Sequence, residues 1–159
     1  MNLLPVFQSL EDSAVGETIR QSLWLFPVIE AFHLVAFAVL GGTVLVTDLR
    51  LLGVAMRTQP TAQVAREARP WLLGSLLVMI TSGVLLFLSE AIKCYYSFPF
   101  KVKITCLLLA IVFTWTLHKR VALADDATIG PIKGRLAAVI SLALWGAVAW
   151  GGRWIGFSG

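Results

Sequence analysis

The sequence predicts an all-α integral membrane protein, with four transmembrane helices in an antiparallel up-down bundle and an interfacial helix before them. Hydrophobic residues make up 58% of the 159 residues and charged residues only 14%. The mean hydropathy is +0.83. A soluble domain is roughly 45–50% apolar and about 25% charged. Because so short a chain leaves no room for a soluble domain beside several spans, we expect residues 1–159 to form a single membrane domain.

The elements follow one another with short connections. Apolar residues recur at three- or four-residue steps before the first span and predict an interfacial helix over about residues 3–20. A helix needs about 20 residues to cross a bilayer. Four apolar stretches approach that length, at about residues 23–48, 71–92, 100–117 and 136–154. Backbone groups in lipid must be paired within their own segment, so all four are predicted helices, antiparallel to their neighbours.

The distribution of lysine and arginine predicts the orientation. One side of the four spans collects Arg50, Arg57, Arg66, Arg69, Lys119, Arg120, Lys133 and Arg135. The other side collects Arg20, Lys93, Lys101, Lys103 and Arg153. The positive-inside rule places the larger group in the cytoplasm, and therefore both termini on the periplasmic side of a bacterial inner membrane. Topology is a sufficient explanation for the basic loops, so no nucleic-acid partner is predicted.

The first segment is not predicted to be a cleaved signal peptide. Acidic residues (Glu11, Asp12 and Glu17) outnumber the single Arg20 where a signal would carry a basic region. The first span should therefore remain in the mature protein.

Glu30 and His33 lie near the middle of the first predicted span. An acidic side chain there costs about 2.5–3.5 kcal/mol on insertion scales, so such residues mark a functional site by default. At 100° per residue, both share one helix face with Asp48. His33 lies roughly 16 Å and His118 roughly 27 Å from the outer side, so the two histidines are not predicted to ligate one haem together.

A haem b site is the favoured interpretation of this face. Neutral imidazole is a common haem ligand, which assigns His33 to the iron. Glu30 would hydrogen-bond or tune the imidazole. Lys101, Lys103 and Arg153 would pair with the propionates at the outer surface.

Three other interpretations remain open. Copper could be held by His33, Met79 and Cys106, since thiolate, thioether and imidazole suit that metal. A proton relay could run from Glu30 through His33 towards Asp48. A histidine simply hydrogen-bonded to Glu30 or to a serine would need no ligand at all.

Nearly the whole chain resembles an uncharacterised bacterial family of four-helix membrane proteins, described only as a domain of unknown function. The resemblance is carried by the run from Ser9 to Gly53, which contains WLFPVIEAFHLVAFAVLGGTVLVTDLR, and by RPWLLG, FPFKVKITCLLL and SLALWGAVAWGGRWIGF.

Two of these segments also resemble better-known groups. FHLVAFAVLGGTVLVTDLRL and FKVKITCLLLAIVFTWTLHKR are similar to the copper-resistance D family and to the HemJ-type protoporphyrinogen oxidases. The second resemblance implies that His33 is the haem-associated histidine and Lys103 the lysine paired with it. The tryptophan usual before the paired glycines of the copper-resistance D family is Leu40 here.

Three classes of function follow from these observations. The favoured one is an inner-membrane protein that binds haem or supports a haem-linked redox step. The alternatives are a copper-handling membrane protein and a non-catalytic accessory subunit that packs into a homo-oligomer or a larger membrane complex. The sequence identifies no substrate, so it does not assign an enzymatic reaction. It also gives no role to Cys94 or His118.

Overall fold

The computed structural model describes residues 3–124 and 126–155, and the secondary structure within them is helical. The helices are α1 (Leu4–Glu11), α2 (Ala14–Gln21), α3 (Leu25–Leu51), α4 (Thr61–Ser89), α5 (Ala91–Tyr96), α6 (Phe98–Phe113), α7 (Lys119–Leu123) and α8 (Asp126–Ile155). A π-helical turn, Thr114–His118, joins α6 to α7 without a break in the rod.

Within the described residues, four segments are long and apolar enough to cross a membrane, as the sequence predicted. We refer to them as candidate spans 1 to 4: Leu25–Leu51, Thr61–Ser89, Phe98–Leu123 and Ile132–Ile155. Their mean hydropathies are 2.0, 2.2, 1.8 and 1.5. The all-helical prediction is therefore confirmed, together with the number of apolar helices.

The helices extend further than the predicted spans. Span 2 begins at Thr61 rather than near residue 71, because the helix continues through Pro70. The proline ring deprives the Arg66 carbonyl of its helical partner, and Arg66 is exposed, so solvent can compensate. Span 3 continues past residue 117 because the π-helical turn carries the rod on to Leu123.

Side-chain contacts set the direction of the first three spans. His33, early in span 1, meets Ser82, late in span 2. Asp48, late in span 1, meets His118, late in span 3. Spans 1 and 3 are therefore parallel, and span 2 runs the opposite way. We call the two ends of the bundle the His33 end and the Asp48 end.

Span 4 completes the up-down arrangement and closes the core. Gly134 lies beside Leu51 at the Asp48 end, and Gly151 lies beside Lys103 at the His33 end. Between the two ends, all four spans contribute to one buried apolar cluster. Its members are Ala36, Leu40, Val44, Leu76, Met79, Ala110 and Trp145.

The predicted interfacial helix over residues 3–20 is two short helices in the structure. The Ser13 hydroxyl accepts from the Gly16 N–H at 3.3 Å and caps α2, so the chain turns between α1 and α2. The Glu11 carboxylate accepts the Ile92 N–H at 2.6 Å, at the start of α5. These helices therefore pack against the His33 end of the bundle.

Candidate functional site

The imidazole of His33 is held by a serine of the neighbouring helix. Its Nδ1 atom lies 2.9 Å from the Ser82 Oγ. That Oγ also lies 2.6 Å from the Val78 carbonyl oxygen of its own helix, which takes the single hydroxyl proton. Ser82 therefore accepts a hydrogen bond from Nδ1–H. The Met79 carbonyl oxygen, which can only accept a hydrogen bond, lies beside the same ring.

This arrangement fixes the tautomer of the neutral imidazole. With the proton on Nδ1, Nε2 keeps its lone pair and has no hydrogen-bond partner among the described residues. Histidines that bind metals almost always donate their other ring N–H to a protein acceptor. His33 thus carries the hydrogen-bonding pattern of a ligand histidine with Nε2 as the donor atom.

Gly83 leaves room for the imidazole ring of His33 to pack against α4. A β-carbon at position 83 would lie 3.2 Å from Cε1 and 3.7 Å from Nδ1 of His33. The first of these distances is tighter than an ordinary van der Waals contact, so the absence of a side chain at Gly83 lets the imidazole approach the helix. Gly83 was not predicted to be a site residue. Its position directly after Ser82 on the second predicted span is the sequence feature that could have indicated it.

Glu30 is not the partner of His33. It is exposed on α3, and the imidazole hydrogen-bonds to Ser82 instead. The two residues are three apart on one helix, which leaves them about 60° apart around its axis. The predicted Glu30–His33 pairing is therefore replaced by a serine contact, one of the alternatives that the sequence left open.

The three predicted cationic residues are dispersed at the His33 end. Lys103 is partly buried, lies within electrostatic range of His33, and packs its stem against span 4. Its Nζ lies 3.5 Å from where a β-carbon would stand at Gly152. Lys101 is exposed, with its Nζ 5.8 Å from the centre of the Tyr95 ring. Arg153 is exposed near the end of α8. Of the three, Lys103 is the one that the structure brings close to His33.

The alternative copper ligands lie on separate helices around the core. Met79 is buried in the apolar cluster, one turn from Ser82. Cys106 is partly buried on α6. Within residues 3–124 and 126–155, no three His, Cys, Asp or Glu side chains gather to hold a metal ion. A copper site would therefore depend on Met79 as a ligand.

A second polar pair lies at the Asp48 end. His118 Nε2 lies 2.6 Å from Asp48 Oδ1, and both residues are buried. Asp48 was predicted to share a helix face with His33, and His118 was given no role. The π-helical turn that ends at His118 places this residue on the same buried face as Thr114, towards span 1.

The two polar sites are separated by the core. His33 and Asp48 are about 22 Å apart along α3. Ala36, Leu40 and Val44 are buried between them. Ser75 and Ser141, on spans 2 and 4, are buried polar side chains beside this layer, and the relay from Glu30 through His33 to Asp48 stays a prediction.

Fold and site together define a helical protein with four candidate membrane spans and two separate polar sites, each formed between two helices. The chain belongs to DUF6644, a family of unknown function, whose family model matches residues 15–158. This confirms the predicted membership of a domain-of-unknown-function family. No curated protein and no solved structure matches the chain.

Proposed function

We propose that this protein is a multi-pass protein of the bacterial inner membrane that binds haem b through His33, or supports a redox step linked to that haem. Both termini would lie on the periplasmic side, which puts the His33 end outermost. When bound, haem would supply one-electron chemistry that side chains alone lack.

The free Nε2 of His33 carries this proposal. The Ser82 hydroxyl lies against Nδ1, and the Met79 carbonyl lies beside the same ring. A ligand histidine needs a hydrogen-bond acceptor at one ring nitrogen and a lone pair at the other. The hydrogen bond orients the ring and raises the basicity of the coordinating nitrogen. His33 sits about 12 Å along the helix from Leu25, within an apolar segment that suits a largely hydrophobic porphyrin.

Lys103 supports the same ligand class. No hydrogen bond or ion pair engages its ammonium group in the described part of the chain, although it lies within a candidate span. An unpaired lysine inside an apolar bundle calls for an anionic partner. A propionate of haem is such a partner. Lys101, exposed two residues earlier, would reach only a group at the surface.

The test is a visible spectrum of the detergent-purified protein, produced with an ample haem supply, recorded after air oxidation and again after dithionite reduction. We expect a Soret band that shifts on reduction, with one haem per chain. His33→Gly should lose the band and recover it with added imidazole. Ser75→Ala is the matched control. Ser75 is buried on α4, as Ser82 is, but its hydroxyl bonds only to backbone carbonyls of that helix.

Other outcomes discriminate between the alternatives. A spectrum unchanged in His33→Gly would exclude His33 as the ligand. A flat spectrum from haem-replete cells would overturn the haem proposal. Copper in stoichiometric amount, lost on replacing His33 or Met79, would instead establish the copper-handling function. A protein free of both haem and copper would favour the accessory subunit.

A further inference from the structure

A cleft of about 80 Å³ lies at the Asp48 end, between α4 and the end of span 3. Its polar lining includes His118 and Thr114. Two basic side chains, Arg69 from α4 and Lys119 from α7, also line it. The two cations therefore reach the cleft from two different helices at the Asp48 end.

The cleft has an unbalanced positive charge. Arg69 and Lys119 are exposed, and neither forms an ion pair or hydrogen bond with another described residue. No acidic side chain is found among the described residues that line the cleft. The nearby Asp48 side chain is engaged by His118 Nε2.

Apolar side chains continue from the cations towards the middle of the bundle. Leu73 and Trp115 line the cleft and are 40% and 42% exposed on the outer face of the bundle. In a bilayer, that face meets acyl chains. The cleft therefore combines a pair of unmatched cations with an adjoining apolar wall that is open sideways to lipid.

We propose that this cleft binds one anionic phospholipid, with its phosphate between Arg69 and Lys119 and an acyl chain along Leu73 and Trp115. Basic recesses between transmembrane helices on the cytoplasmic side commonly take anionic headgroups, and the charge distribution predicts that this end is cytoplasmic. The apolar wall favours a lipid over a free anion, which would gain nothing from Leu73 and Trp115. The inference does not depend on the proposed haem site, which lies at the opposite end.

The chain provides matched controls for both cations. Arg66 and Arg120 are exposed arginines on the same elements, three residues and one residue away from Arg69 and Lys119, and neither lines the cleft. The test variant is Arg69→Gln with Lys119→Gln, and the control is Arg66→Gln with Arg120→Gln. Both remove two positive charges, so they differ only in where the charge was.

The experiment titrates each detergent-purified protein with dioleoyl phosphatidylglycerol or dioleoyl phosphatidylcholine and counts bound lipids by native mass spectrometry. We expect the wild type to bind one phosphatidylglycerol tightly and phosphatidylcholine weakly. Each cleft cation is worth about 1 kcal/mol, or about fivefold in affinity. The Arg69/Lys119 variant should therefore bind phosphatidylglycerol more than tenfold more weakly, and the control variant should bind it as the wild type does. Circular dichroism checks that each variant is folded.

Three results would overturn the proposal. An equal loss of affinity for phosphatidylglycerol in the test and control variants would show that binding depends on the general surface charge and not on the cleft. Equal affinity for the two lipids would remove the role of the headgroup charge. Displacement of the lipid by inorganic phosphate at comparable concentration would identify the cleft as a site for a free anion, without a contribution from the acyl chain.

Discussion

His118 Nε2 donates a hydrogen bond to Asp48 Oδ1 over 2.6 Å, and Asp48 is fully buried. The second carboxylate oxygen of Asp48 has no partner among the described residues. Among the described residues, the imidazole is therefore the hydrogen-bond partner of this carboxyl group. Removing one partner of a buried hydrogen bond is more damaging than replacing both, because a single deletion leaves the other polar group buried and unpaired.

We predict that His118→Ala destabilises the protein by about 1–3 kcal/mol, because the buried Asp48 side chain loses its hydrogen-bond partner. The double variant Asp48→Asn with His118→Asn should be more stable than His118→Ala, since both partners of the buried pair are then replaced. Thermal unfolding in detergent, followed by circular dichroism, measures both. Lys119→Ala, at the next and exposed position, should leave the unfolding midpoint unchanged. A double variant no more stable than His118→Ala would show that packing, and not the loss of the hydrogen bond, sets the cost.

Ser82→Ala should weaken haem binding by about 10–100-fold, the usual cost of losing an outer hydrogen bond to a ligand histidine. The protein should remain folded, because the hydroxyl otherwise bonds only to carbonyls of its own helix. Haem titration of the apoprotein measures the change. Ser75→Ala should bind haem as the wild type does. Equal affinities in the two variants would show that Ser82 does not orient the ring.

Helical periodicity was sufficient to predict which face of span 2 is buried. The repeat of three or four residues joins Ser75, Met79, Ser82, Leu86, Ser89 and Lys93. Leu86 is partly buried, Lys93 lies beyond the end of α4 and is exposed, and the other four are buried. This works because a straight helix repeats every 3.6 residues, whatever its neighbours are. The choice of partner for His33 could not be predicted in this way, because it depends on how spans 1 and 2 are rotated and shifted against each other.

The burial of His118 could not be predicted from helical periodicity. Its α-helical register was interrupted by the π-helical turn, which inserts extra backbone and rotates everything that follows. Residues 114–118 carry no proline or glycine that would mark such a turn in the sequence. His118 is consequently buried against Asp48.

Spans 3 and 4 approach each other closely at Gly151. A β-carbon there would lie 3.1 Å from the Lys103 β-carbon and 3.2 Å from the Pro99 carbonyl oxygen. We predict that Gly151→Ala destabilises the protein by about 1–3 kcal/mol through overpacking. Gly146→Ala, on the same helix with nothing within 4 Å of the added carbon, should be neutral or stabilising by up to about 1 kcal/mol. Equal unfolding midpoints for the two variants would contradict close packing at Gly151.

The thiol of Cys94 should be unreactive at neutral pH. Cys94 lies in α5, outside the candidate spans, where burial, reinforced by the Glu90 carboxylate, raises its pKa to about 11. At pH 8 we expect alkylation by iodoacetamide to be about 100-fold slower than in the unfolded chain, because the thiolate is the nucleophile. The Cys106→Ser background restricts the signal to Cys94. Reaction at the unfolded rate would show that the thiol is accessible and its pKa ordinary.

The raised pKa of Cys94 also has a consequence for stability. Between the ordinary pKa of 9.0 and about 11, the unfolded chain releases the thiol proton before the native protein does. The free energy of unfolding should therefore fall as the pH rises through this interval. Cys94→Ala should lose this contribution to the pH dependence, which thermal unfolding at several pH values in the Cys106→Ser background would reveal.

Gly16 should be essential for docking the N-terminal helices against the bundle. A β-carbon there would lie 2.5 Å from the Leu88 carbonyl oxygen and 2.7 Å from the Glu11 carbonyl oxygen. Both are backbone atoms, so α2 must move if a side chain is added. Arg20 from α2 donates to the Glu11 carbonyl at 2.8 Å, and this bond should be lost in Gly16→Ala as the helix moves away.

Trypsin can follow this displacement, because Arg20 is the only lysine or arginine before Arg50. We expect Gly16→Ala to be cut after Arg20 at least several times faster than the wild type, while the four candidate spans keep their helical signal. Gly74→Ala adds the same methyl group at an open position of α4 and should be cut at the wild-type rate. Equal cleavage of all three proteins would mean that α2 tolerates the methyl group without leaving the bundle, and that the close approach at Gly16 does not hold the N-terminal helices in place.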